Sequence, residues 1–152
     1  MNGGPLNIVT GAFGFSGRHI ASRLRVCGEQ VLALTNRVSG RSSMRTAPLD
    51  FRSPPALADS MRGATVLYNT YWVRFAYGEI SHERAVENSR ILVRAAEHAG
   101  LERIVHLSVT NPSPDSRLSY FRGKAAVEEI IRSCSRSVAE AECSALLRPS
   151  FV

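Results

Sequence analysis

No apolar stretch in this sequence approaches the roughly 20 residues that span a bilayer, and no basic segment followed by an apolar run opens it. Neither a membrane span nor a secretion signal is expected, and a cytoplasmic address follows by default. Cysteine is scarce. Cys27, Cys134 and Cys143 are odd in number and lack metal-ligand spacing, so they read as buried reduced thiols and not as a disulfide framework. The four histidines are scattered singly, and no metal site is expected. Lysine is nearly absent: of nineteen basic residues, only Lys124 is not arginine. A chain that otherwise writes Arg for positive charge has kept one compact ammonium, which arginine does not replace in every chemical role.

A formal charge of +6 raises the question of a polyanionic partner. Yet no run of five or six arginines occurs and no aromatics interleave them, so a solvated Arg-rich surface is predicted and no nucleic-acid partner. The length of 152 residues suits one domain with a real core and is too short for two ordinary ones.

What is present is an alternation. Short runs rich in Val, Ile and Leu at Leu6–Thr10, Gln30–Thr35, Met44–Leu49, Thr65–Asn69, Arg103–Ser108 and Ser144–Leu147 read as strands buried on both faces of a parallel sheet. Helix-period segments fill the gaps at about 16–27, 54–62, 79–99 and 119–135. Gly28, Gly63 and Gly100 follow helical segments, where a left-handed residue is favoured. Ser53-Pro54 reads as an N-cap followed by proline at the first helical position. The pattern predicts an α/β fold, a doubly wound parallel sheet of about six strands with right-handed crossovers. Arg37–Arg45 and Asn111–Ser119 read as loops.

The first strand runs into Thr10-Gly11-Ala12-Phe13-Gly14-Phe15-Ser16-Gly17, and a helix follows. Three glycines at this spacing, between a first strand and a first helix, let the chain turn sharply and bring backbone against a pyrophosphate. They also aim a helix N-terminus at its charge. A dinucleotide is the expected ligand. About 20 residues beyond the glycines, an NAD-selective site usually places an acid on the ribose hydroxyls. Here the stretch reads Leu34-Thr35-Asn36-Arg37, with Arg41 soon after. No carboxylate is there to repel a 2′-phosphate, and an arginine is available to pair with one. NADP(H) is therefore preferred, with NAD(H) the alternative; an Arg37 that merely sits on the surface is the competing reading.

With this turn, this alternation and the segment Tyr120-Phe121-Arg122-Gly123-Lys124, the chain resembles the short-chain dehydrogenase/reductase superfamily. It is most similar to the extended and atypical branches, the NAD-dependent epimerase/dehydratase-like and NAD(P)H-binding proteins. Further similar stretches are Ala64–Thr70, Arg94–Gly100 leading into Arg103–Ser108, and Leu146–Ser150. The resemblance covers nearly the whole chain and implies a single NAD(P)-binding Rossmann domain over residues 1–152. The C-terminal substrate region is expected to be incomplete, as in a truncated member. Cofactor contacts implied by the resemblance fall on Gly11, Phe13, Gly14, Phe15 and Gly17, on Arg37, on Asp50 near adenine, on Asn69-Thr70, and on Lys124.

Tyr120 and Lys124, four apart in a helical segment, share one face. A nearby ammonium favours the phenolate and brings a phenol, ordinarily titrating near 10, toward operating pH. The resemblance implies that this pair moves a proton to or from a substrate oxygen while hydride passes to or from nicotinamide, with Lys124 also on the ribose. A third partner, a hydroxyl at the end of the fifth strand, falls on Ser108 or Thr110, with Ser108 favoured; either would stabilise charge developing on the reacting oxygen. Asn88 reads as a surface or packing residue. The aromatics Tyr68, Tyr71, Trp72, Phe75 and Tyr77 either wall the pocket or pack against the remainder of a longer chain.

Two functions follow. One is an NADP(H)-dependent oxidoreductase or epimerase/dehydratase-like enzyme acting on a carbonyl or hydroxyl substrate. The other is a non-catalytic NAD(P)H sensor or accessory subunit. Expected partners are the dinucleotide, an unidentified small-molecule substrate and, as an option, a second copy in a homodimer.

Overall fold

The computed structural model describes residues 3–36, 43–137 and 144–147. Ten elements alternate along the chain: β1 Leu6–Thr10, α1 Phe15–Val26, β2 Gln30–Leu34, β3 Arg45–Ala47, α2 Pro54–Met61, β4 Ala64–Asn69, α3 His82–Ala99, β5 Arg103–Leu107, α4 Ser119–Ser137 and β6 Ser144–Leu147. The strands form one sheet in the order β3-β2-β1-β4-β5-β6, and every pairing is parallel. The chain winds outward from β1 to β3, then crosses back to begin again at β4. That reversal opens a crevice beyond the C-terminal ends of β1 and β4, where a doubly wound sheet binds its ligand.

Alternate residues of a strand point to opposite faces, so two cores result. Ile8, Leu32, Leu34, Leu67 and Ile104 pack beneath Leu57 and Met61 of α2, Leu92 of α3, and Val127 and Ile131 of α4. Val9, Val31 and Ala33 pack with Ala21 and Leu24 of α1 on the other face. Three described helices thus cover one side and a single one the other. Among the described residues, Val66, Tyr68 and Val105 are only half-buried as a result.

The helix stops agree with the sequence: Gly28, Gly63 and Gly100 have φ of 81°, 78° and 78°. Ser53 occupies the N-cap of α2 with Pro54 first in the helix, although its side chain makes no capping bond. β3 is shorter than expected. Pro48 has no N–H to continue the ladder, and the amide side chain of Asn36 takes over at Leu49, donating to its carbonyl at 2.9 Å and accepting from its N–H at 3.2 Å. α3 begins later than expected. Tyr77 and Ile80 close a turn on each other's backbone around Gly78, and Ser81 then caps the helix by accepting from the N–H of Arg84 at 3.0 Å. The expectation of buried thiols needs correction: Cys27, at the C-cap of α1, is exposed and Cys134 is half-buried, while Cys143 lies outside the described residues. No helix among the described residues is long and apolar enough to cross a membrane.

Candidate functional site

The site grows from the end of β1. Gly11 adopts φ +62°, where a side chain would be strained. The N–H of Gly14 then closes the turn on the carbonyl of Gly11 at 2.8 Å. Gly17 sits in the first turn of α1 with its α-carbon against that same carbonyl. A β-carbon there would lie 2.1 Å from Gly11 O and 3.0 Å from Ala12 N. Gly14 caps α1 without a side-chain bond, and no acidic residue occupies the first turn. The first-turn amides of α1 therefore meet neither a side-chain cap nor an acid, the arrangement that suits an anion. The two aromatics of the turn part company. Phe13 packs against the core beneath α1, whereas Phe15 is 76% exposed, with Arg18 over its ring at 5.4 Å.

Behind the turn, the strand ends are tied to one another. Thr10 Oγ1 accepts from the N–H groups of Thr70 (2.8 Å) and Tyr71 (3.1 Å) and donates to Asn69 Oδ1 (3.2 Å). Thr70 Oγ1 donates to Thr10 O at 2.6 Å. Asn69, expected on the cofactor, turns both amide atoms inward: Oδ1 also accepts from Tyr71 N at 2.9 Å, and Nδ2 donates to His106 Nδ1 at 3.1 Å. Its geometry is that of a strand-end brace.

His106 is fully buried in β5. Burial, aided by the positive charge of Lys124, drives its pKa down to about 3, so the ring is neutral. With Nδ1 accepting from Asn69, the proton resides on Nε2, which has no protein partner among the described residues. Sequence reasoning passed over His106, Thr10 and Glu128. The spacing that could have found Glu128 was present: Tyr120, Lys124 and Glu128 recur at intervals of four along α4.

Lys124 is 4% exposed and donates to Leu107 O at 3.1 Å. Burial lowers its pKa to about 8, and the buried Glu128 carboxylate opposes that shift. Glu128 receives the hydroxyl of Ser108 at 2.6 Å and the guanidinium of Arg132 at 2.7 Å. Ser108, the favoured candidate for the substrate oxygen, is thus buried and bonded inside the protein, and Thr110 stands two residues further out, exposed.

The aromatics expected as one group divide. Tyr71 packs on Phe51 and accepts from Asn88 Nδ2 at 2.9 Å, which makes Asn88 a packing residue. Trp72 lies on α4 beside Tyr120, while Phe75 and Tyr77 are exposed. Asp50 pairs with Arg52 at 2.9 Å and accepts from its N–H at 3.0 Å, a turn-forming arrangement that holds its carboxyl below the ordinary carboxylate range. Arg37 and Arg41 lie outside the described residues.

Comparison with known proteins gives consistent results. Residues 7–140 match the model of the NAD dependent epimerase/dehydratase family. The NADH-ubiquinone oxidoreductase 40 kDa subunit, mitochondrial, of Neurospora crassa is 28% identical over 141 residues, covering 86% of this chain and 38% of that protein. Among solved structures, the UDP-N-acetylglucosamine 4-epimerase of Bacillus cereus superposes with a TM-score of 0.78 at 19% identity, over 95% of this chain and 53% of that one. The triphenylmethane reductase of Citrobacter sp., complexed with NADP(H), superposes with a TM-score of 0.73 at 19% identity, over 95% and 49%. The chain therefore spans about half the length of these solved structures and under two-fifths of the curated relative. At these identities the structural matches speak for the fold alone.

Proposed function

The chain belongs to the NAD dependent epimerase/dehydratase family, and from that premise we propose that it binds a nicotinamide dinucleotide, NADP(H) in preference to NAD(H), beyond the ends of β1 and β4. The observation that carries this reading is the glycine turn. Gly11 takes the positive φ of the turn, and Gly17 lets α1 pack on the turn's backbone, so the N-terminus of α1, without a side-chain cap or an acid in its first turn, is held at the end of β1. The solved reductase with NADP(H) bound shares this architecture, which supports the cofactor class. Arg37 is assigned to the 2′-phosphate, on the sequence argument that no acid stands in its place.

When bound, the dinucleotide supplies a hydride donor or acceptor. The chain's own part is proton handling and orientation. We assign Tyr120 to the exchange of a proton with the substrate oxygen and Lys124, four residues on along α4, to the nicotinamide ribose. The hydroxyl for that oxygen is assigned to the end of β5, to Ser108, which donates to Glu128 and keeps its acceptor lone pairs, or to the exposed Thr110. The substrate class is a carbonyl or hydroxyl compound.

A second reading, a dinucleotide-binding accessory subunit without turnover, is favoured by one observation: the Neurospora relative is named as a subunit of NADH-ubiquinone oxidoreductase. Isothermal titration with NADPH and with NADH separates the levels of the proposal. Tight NADPH binding, shifted toward NADH by Arg37→Asp, is the expected result; binding of neither by the folded chain would overturn it. Cofactor consumption across a panel of carbonyl compounds and nucleotide sugars, lost in Tyr120→Phe, supports the enzyme. Binding without consumption supports the accessory subunit.

A further inference from the structure

The chain has one tryptophan and one lysine, and the fold puts them face to face. Trp72 lies three residues beyond β4, in a segment whose backbone is fixed by the bonds from Thr70 and Tyr71 to Thr10. Its indole rests on α4 at Gly123, where a β-carbon would come within 2.7 Å of Cη2 and 3.1 Å of Cζ2. Only glycine leaves room for the ring in that position. From this seat the indole meets Lys124 and Tyr120 of the same helix. The ammonium of Lys124 stands 4.8 Å from the indole ring centroid, within cation–π range. The ring of Tyr120 meets it edge-on at 5.9 Å and 85°.

His82 completes the arrangement. It stacks on the indole with the planes 5° apart and centroids at 5.8 Å, and meets Tyr120 edge-on at 5.6 Å. Its Nδ1 lies 2.7 Å from Ser119 Oγ, tying the start of α3 to the start of α4. Trp72 Nε1 and His82 Nε2 are both buried without a protein partner among the described residues, and His82 is only 9% exposed.

We propose that Trp72, seated on Gly123 and braced by His82, is the positioning residue of Lys124: its face holds the ammonium, its ring meets that of Tyr120, and it keeps water from the amine. The inference rests on the assignment of Tyr120 and Lys124 as the reactive pair. Two effects of the indole oppose each other. Its face favours the charged lysine, while the exclusion of water disfavours it, and burial is the larger influence on this amine. The other titratable groups about Lys124 are Glu128 on its own helix and the neutral His106 on β5, with Tyr120 and His82 reached through the indole.

Because Lys124 is the only lysine, its titration can be followed without cofactor or substrate. Competitive labelling with acetic anhydride from pH 6 to 11, read on the peptide carrying Lys124, gives the midpoint at which the free amine appears. The wild type is expected to titrate near 8. Trp72→Ala readmits water and is expected to raise the midpoint by about one unit or more, toward the ordinary value near 10.4. Trp72→Phe, which retains an aromatic face, holds it near the wild-type value. Gly123→Ala displaces the indole while leaving it in the chain, and moves the midpoint upward as well; it decides the matter if circular dichroism shows Trp72→Ala unfolded. Emission from Trp72 should show a transition at the same pH that disappears in Lys124→Met. A wild-type midpoint at the ordinary lysine value, or one unmoved in folded Trp72→Ala, overturns the proposal. Failure of the NADPH titration would overturn the proposed function and leave this result standing.

Discussion

Gly17→Ala is expected to abolish dinucleotide binding and to cost about 1–3 kcal/mol of stability, the range for overpacking a filled interior. The added methyl group would meet Gly11 O at 2.1 Å, Gly11 C at 2.6 Å and Ala12 N at 3.0 Å. All three are backbone atoms, so no rotamer change relieves the clash. Either α1 slides away from the turn or the turn opens, and both break the bond from Gly14 N–H to Gly11 O that shapes the turn. Two other glycines calibrate the result. Gly14→Ala meets the same carbonyl at 3.2 Å, a contact that a shift of a few tenths of an ångström accommodates, and is expected to weaken binding less. Gly28→Ala meets nothing within 4 Å but holds φ +81°, so it should cost roughly 1–2 kcal/mol through backbone strain and leave binding intact. Urea unfolding and isothermal titration with NADPH on the three variants provide the check. A Gly17→Ala protein that binds like wild type would show that the glycine turn is not where the phosphates sit.

How far the sequence revealed this arrangement depends on the range of the interactions involved. β1 was legible because Asn7, Ile8, Val9 and Thr10 are buried on both faces, and nothing local competes with the strand. The glycine turn was legible because its constraint is local: a φ above zero and a close backbone approach are written in residue type. β3 was overread because the buried Leu49 looks like strand, although Pro48 withdraws a donor and a side chain from β2's far end replaces the ladder. The start of α3 was misplaced because Tyr77–Ile80 satisfies its own backbone in a turn. The spacing of Tyr120 and Lys124 was visible; what surrounds them was not. Ser108 looked free because nothing in its own neighbourhood reveals that Glu128, twenty residues on, accepts its hydrogen bond. Likewise, Asn69 and His106 become partners only through the register of β4 against β5. Trp72 was one of five aromatics until the loop after β4 laid it on Gly123. Long-range pairing, not residue type, decides such roles.

The pairing of Asn69 with His106 carries the other large expected effect, a loss of stability in mild acid. In the unfolded chain a histidine titrates near 6.5, while burial and the neighbouring Lys124 hold His106 neutral down to about 3. Between these values the unfolded state binds a proton that the folded state refuses. Stability is therefore undiminished above about 6.5 and falls as the pH drops, by up to about 1.4 kcal/mol per unit, until the folded pKa is reached. Between pH 7 and 5 the loss attributable to this ring is about 2 kcal/mol. Lys124 does not contribute in that window. Its own depressed pKa makes stability rise with pH between about 8 and the ordinary lysine value. The carboxyls of Asp50 and Glu83, held below their ordinary range, begin to lose stability only at lower pH. His106→Gln keeps an acceptor for Asn69 Nδ2 but cannot take up a proton, so its stability should fall less steeply. Urea unfolding of both proteins at pH 7, 6 and 5 measures the difference, and parallel curves would mean that His106 is not held neutral. A widening gap would place the acid-sensitive point of the fold at the strand ends, where Thr10, Asn69 and His106 join the glycine turn to the floor beneath Lys124.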